Sequence, residues 1–370
     1  MKPFLLASLC LALACPARPA TSFRQALPGY RYQFPRDHAS HPAFQLEWWY
    51  YTGHLESAQG RRFGYQITFF RSALRPELRG RRSWWATRDI IFAHLAITDE
   101  NKGRFYNTDR AARAALRLAG AEAAVPHVWI GNWALRFTGK TGDIQMMRAS
   151  GREGEVEFAL DLTQRALKPP IIHGQAGVSQ KSAGQGRATH YYSFTRLATS
   201  GTLRLGNERL AVTGQSWFDH EFGSNQLGQN QVGWDWFCIQ LADGRELMLY
   251  RLRLRDGSTE PLSSGTLIER NAQTRHLKLA EFRVEPLTTW RSPKTGAVYP
   301  ARWRITLPRE SLTLETTPTV ADQELVTRRP LNVAYWEGSI RVTGTQQGRP
   351  LSGVGYLEMV GYTQALSGLS

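Results

Sequence analysis

Arg62-Phe63-Gly64-Tyr65-Gln66-Ile67-Thr68-Phe69-Phe70 places apolar side chains at 63, 65, 67 and 69, with smaller or polar residues between them. A period of two is the signature of a strand with one buried face. Residues 90–98, 156–162, 190–195, 201–205 and 210–214 repeat the pattern, and 233–241, 246–255, 266–269, 302–307, 333–343 and 353–359 carry it through the second half. Ala242-Asp243-Gly244-Arg245 joins two strong runs and reads as a hairpin turn. Many consecutive strands without a βαβ rhythm predict an all-β fold of barrels or sandwiches. Two segments are predicted helical, 109–124 from its alanine and leucine content and 321–326. The Gly/Ser/Gln-rich stretch 173–186 reads as a mobile loop.

Lys2 followed by an apolar run over 4–14 predicts a signal peptide at 1–17, cut before Cys15 or after Ala17. The run is too short for a membrane-spanning helix, and no later stretch of the sequence comes near one. The expected location is therefore periplasmic or secreted, and a cut before Cys15 also suits a lipid anchor on that cysteine. Cys10, Cys15 and Cys238 are the three cysteines, so the mature body can form no internal disulfide and no Cys-rich zinc site. The chain of 370 residues is long for one core, which predicts two domains, 24–199 and 200–368, divided where the pattern restarts after 198–201. The net charge of +15, from 46 Lys and Arg against 31 Asp and Glu, comes from scattered arginines and predicts no nucleic-acid partner.

Three segments combine tryptophans with acids and histidines, a mixture that an ordinary core does not need. They are Phe34-Pro35-Arg36-Asp37-His38 leading through His41-Pro42 to Glu47-Trp48-Trp49-Tyr50, then Trp217-Phe218-Asp219-His220-Glu221-Phe222-Gly223, then Gly233-Trp234-Asp235-Trp236-Phe237. Tyr335-Trp336-Glu337-Gly338 is a lesser relative. The first two also echo each other, as if each opened one half of a duplicated chain.

These segments in this order, followed by residues 243–251, resemble the family of carotenoid 1,2-hydratases and AttH. The resemblance covers nearly the whole mature chain and implies two tandem lipocalin-like (calycin) antiparallel β-barrel domains. It also implies water addition to isoprenoid double bonds in some members, with the acid on the strand at 233–237 and a histidine in the motif at Asp219-His220. The sequence departs from a hydratase at Gly233 and Phe222, where Tyr or Trp would be expected.

Hydrating an alkene needs a carboxyl kept protonated by an apolar site, aromatic faces to stabilise a cation, and a base for water. Asp235 between Trp234 and Trp236 is the expected acid, with His220 or Asp219 as base. Trp48, Trp49, Tyr50, Trp217, Trp234, Trp236 and Glu47 are the expected ligand contacts. Strand geometry leaves an alternative open, because Trp234 and Trp236 share one face and Asp235 takes the other. His220 could likewise be a buried, hydrogen-bonded residue, and Glu47 the buried partner of an arginine such as Arg71. His220-Glu221 lacks the second histidine of a zinc-protease helix, so neither a metal nor another cofactor is expected. The function read from the sequence is binding of a large apolar isoprenoid or lipid-like ligand, with hydration or isomerisation of a carbon–carbon double bond. The alternative is a non-catalytic lipophilic-ligand binding or delivery protein associated with an ABC-type exporter, a membrane or the cell envelope.

Overall fold

The computed structural model describes residues 22–77, 83, 85–224, 227–327 and 333–364. The expected signal peptide, with Cys10 and Cys15, lies outside them. In chain order the first strands are β1 (Leu46–Ser57), β2 (Arg62–Ala73), β3 (Asp89–Asp99), β4 (Arg104–Arg113), β5 (Ala119–Ala121), β6 (His127–Ile130) and β7 (Trp133–Thr138). They continue with β8 (Ile144–Glu153), β9 (Val156–Ala166), β10 (Ile171–Ile172), β11 (Ser179–Gln180), β12 (Ala188–Leu205) and β13 (Glu208–Gly223). The second group is β14 (Gln231–Leu241), β15 (Glu246–Leu254), β16 (Ser264–Ile268), β17 (Thr274–Lys278) and β18 (Arg283–Arg291). It ends with β19 (Val298–Leu307), β20 (Leu312–Pro318), β21 (Glu324–Val326), β22 (Ala334–Gln346) and β23 (Arg349–Val360).

Among the described residues the first group forms a sheet of order β4-β3-β2-β1-β13-β12-β9-β8-β7-β6-β5, with β10 and β11 also on β12. It curls until β4 packs on β5, β6 and β8, giving a nearly closed barrel. The second group runs β17-β16-β15-β14-β23-β22-β20-β19-β18, with β21 on β22, and forms a half-barrel. Each curl has its own apolar filling, Trp49, Tyr51, Phe69, Trp133 and Phe218 in the first and Phe237, Trp303, Leu314 and Trp336 in the second.

Four expectations change. The helix expected at 109–124 is the end of β4, a turn and β5, because Leu116 and Arg117 take left-handed backbone angles (φ 51° and 59°) that no α-helix accepts. Residues 321–326 are a turn and the short strand β21 instead of a helix. The boundary expected at 198–201 falls inside β12, which runs unbroken to Leu205, and β13 still pairs with β1, so the first sheet extends to Gly223. The two echoing motifs do not open separate halves, since Trp48 pairs with Glu221 and Trp49 with His220 as neighbours on β1 and β13.

Candidate functional site

The strand period sorts the motifs onto two faces. On the barrel sheet, pairing aligns Ser193, Asp219, Tyr50, Thr68 and His94 in one row across β12, β13, β1, β2 and β3. The next row on the same face is Tyr191, Glu221, Trp48, Phe70 and Phe92. On the half-barrel sheet, Tyr250, Trp236, Glu358 and Glu337 form a row across β15, β14, β23 and β22, and Leu252, Trp234, Val360 and Tyr335 form the next. These outward faces meet, so the cavity of about 300 Å³ lies between the two sheets and is lined from both.

Most of that lining is aromatic or aliphatic, including Trp48, Phe70, Phe92, Trp234 and Trp236. Asp219 is set into it. Its carboxylate accepts hydrogen bonds from the Tyr191 hydroxyl (2.8 Å), the Trp217 indole N–H (2.5 Å) and the Ser193 hydroxyl. Three donors favour the ionised form, yet burial outweighs them and pushes the carboxyl up to about 7. The Trp236 indole N–H donates in turn to the Tyr191 hydroxyl (3.2 Å), tying the two sheets together at the acid.

Lys181 comes from the stretch expected to be a mobile loop. That stretch is pinned on β12 by β11, and by β10 immediately before it, with His173, Ser179, Lys181 and Ser182 buried. The Lys181 ammonium sits 3.3 Å from Glu221 and 4.2 Å above the Tyr250 ring. Burial opposes that charge, but Glu221, Tyr250 and Asp219 together outweigh burial and hold the ammonium above its ordinary range. Along the other wall Glu358 accepts from the Trp234 indole N–H at 2.8 Å. Burial raises Glu358 to about 7, and burial together with Glu358 raises Glu337.

Of the residues expected from the sequence, Trp48, Tyr50, Trp234, Trp236 and Asp219 reach the cavity, and Glu47 borders it while its carboxylate turns into the barrel. Trp217 stands one layer behind, packed edge-on to Trp236 at 6.4 Å. The expected pairing of Asp235 with His220 does not occur, because each projects from its strand away from the cavity. Asp235 turns into the half-barrel, where Arg251 donates to it at 2.8 and 3.0 Å and the Tyr362 hydroxyl at 2.7 Å. His220 turns into the barrel with Trp49, which stacks on it at 4.8 Å.

There His220 Nε2 meets Glu47 Oε1 at 2.9 Å and its Nδ1 meets the Tyr192 hydroxyl at 3.1 Å. His41 Nδ1 binds the same Glu47 oxygen at 2.8 Å, and Arg71 donates to the other at 2.9 Å. His41, Glu47 and His220 place ligand atoms within 4.8 Å of one another, near enough to share an ion. The Arg71 guanidinium already supplies the balancing charge, so the arrangement works as a hydrogen-bonded tie across the barrel end. Burial opposes the Glu47 charge, but Arg71, His220 and His41 together keep the carboxyl well below the usual range.

Sequence reasoning did not single out Lys181, His94, Tyr191 or Glu358. A glutamate inside the apolar run 353–359 was a usable signal for Glu358; a lysine in a Gly/Ser/Gln stretch was none.

Two curled antiparallel sheets with a ligand-sized, mostly apolar cavity and buried ionisable groups between them define a lipocalin-like β protein. The chain belongs to the AttH-like family, whose model matches residues 25–362. A crystal structure of a putative AttH from Nitrosomonas europaea is 33% identical, with a TM-score of 0.81 over 92% of this chain and 100% of that one. Kievitone hydratase from Nectria haematococca shares the fold at 16% identity, with a TM-score of 0.68 over 94% of this chain and 98% of that one. The dehydratase asqC of Emericella nidulans is 23% identical over 226 residues, 58% of this chain; the match spans 61% of the relative's length.

Proposed function

We propose that the protein is an acid–base enzyme that adds water to, or removes it from, a carbon–carbon double bond of an apolar ligand held between the two sheets. The observation that carries this reading is Asp219, a buried carboxyl with its pKa raised to about 7 in the wall of an aromatic cavity. In the protonated state it can give a proton to carbon; Tyr191 and Ser193 can then turn their hydroxyls toward the carboxylate left behind. Trp48, Trp234 and Trp236 offer π faces to the positive charge that develops on the ligand. A hydratase and a dehydratase among the similar proteins support the reaction class, which is one reaction run in two directions.

The test uses farnesene as an isoprenoid probe in water enriched in heavy oxygen, with product detected by mass spectrometry. Wild type is expected to yield an alcohol carrying the heavy oxygen, with turnover falling as pH rises through about 7, because the acid form of Asp219 is lost there. Asp219→Asn should lower turnover by about 100-fold or more while still quenching tryptophan fluorescence on binding. Return of the probe unchanged by wild type, or an Asp219→Asn variant as active as wild type, overturns the reading and leaves a carrier.

A further inference from the structure

The mechanism above uses one end of the polar row on β13, β1, β2 and β3. The other end is unexplained. Tyr50, Thr68 and His94 continue that row beyond Asp219, Tyr335 and Glu358 face it from the half-barrel, and Glu337 stands beside Glu358 on the neighbouring strand. The Tyr335 hydroxyl meets His94 Nδ1 at 2.6 Å, which closes the group across the sheet junction. Glu337 and Glu358 are directly paired on β22 and β23, both buried.

Within this group three buried polar atoms, the Tyr50 hydroxyl, His94 Nε2 and Glu337 Oε1, make no hydrogen bond of ordinary length and angle among the described residues. The Tyr50 and Tyr335 hydroxyls both lie beside the Glu337 carboxyl, and Tyr335 reaches His94, so these residues form one group. A buried polar atom whose hydrogen bonding is left incomplete costs about 1–3 kcal/mol, and Tyr50 and His94 bring two such atoms to the cavity wall with Glu337 beside Tyr50, a grouping that calls for one common explanation. Burial also lowers His94 to about 4, so its ring is neutral and offers Nε2 without a charge.

We propose that Tyr50, His94 and Glu337 form an oxygen-binding subsite that takes a hydroxyl group or the reacting water, so that the cavity selects apolar ligands with a neutral oxygen function over pure hydrocarbons. The subsite rests on the proposed reaction for its role, and it deepens that reaction by supplying the second partner. Adjacent strands are about 4.8 Å apart, which puts the Tyr50 side of the subsite one strand from Asp219. A double bond lying between them presents one carbon to the acid and the other to the oxygen. Asp219 gives its proton to the first carbon, the water oxygen bonds to the second, and the surplus proton of that water passes to the Glu337–Glu358 pair. Asp219 ends one proton poorer and the pair one richer, and exchange with solvent after product release restores both.

The closing experiment needs no turnover, so it stands or falls apart from the reaction. Tryptophan quenching is titrated with farnesol and with farnesene, which share a carbon skeleton and differ by the hydroxyl. Wild type is expected to bind farnesol about 10-fold more tightly, and Tyr50→Phe and Glu337→Gln should each erase most of that preference while keeping farnesene affinity. Retained farnesene binding shows that the variants are folded. Equal affinities in wild type, or a preference that survives both substitutions, overturns the proposal even if Asp219 proves catalytic.

Discussion

At the scale of single residues, alternation along β14 decides what each member of Trp234-Asp235-Trp236 can do. The tryptophans face the cavity, and Asp235 is 0% exposed on the far side, bound by Arg251 and Tyr362. Asp235→Asn is therefore expected to cost about 3 kcal/mol in a urea unfolding titration, since it leaves the Arg251 charge without its partner. Its farnesene affinity should match wild type; a stable variant with lost affinity would put Asp235 back in the site. The sequence made the cluster of indoles and acids legible, and the face rule was there to be applied. What it could not show was which of the two faces met the other sheet. Asp219 and His220 are adjacent in sequence and equally buried, yet only pairing across the junction sends one to the cavity and the other to Glu47.

At the scale of elements, the junction depends on close approach. A Cβ built on Gly64 of β2 would stand 2.7 Å from the Ser339 side chain of β22 and 2.8 Å from the Tyr356 hydroxyl of β23. Gly64→Ala is expected to destabilise the protein by about 1–3 kcal/mol in thermal or urea unfolding and to weaken binding in the cavity, because β2 and β22 must separate. Unchanged stability and affinity would mean that the sheets do not rely on this contact. The same Gly64 lay inside the run that announced the strand, where local pattern gave its period but not its neighbour. Strands were legible because alternation is local. The segment 109–124 misled because alanine content is also local, whereas Arg110 lies over the Trp133 ring at 4.6 Å, a contact between distant strands that favours an edge strand.

At the scale of the whole molecule, the two curls are tied by charge as well as by apolar packing. Glu246 of β15 is buried and receives Lys168 Nζ at 2.6 Å and Arg196 Nε at 2.6 Å, both from the barrel side. Glu246→Gln strands two cations and is expected to cost about 3–5 kcal/mol, changing one calorimetric unfolding transition into two. A single transition at the wild-type temperature would show that the tie is dispensable. The sheets held together in this way make the apolar surroundings that set the proton affinity of Asp219, and the proposed reaction rests on that affinity. The most direct measurement is a titration of the Asp219 carboxyl carbon by NMR on aspartate-labelled protein, identified by its loss in Asp219→Asn. The expected midpoint is about 7; a midpoint near 4, the range of an ordinary exposed aspartate, would contradict the account.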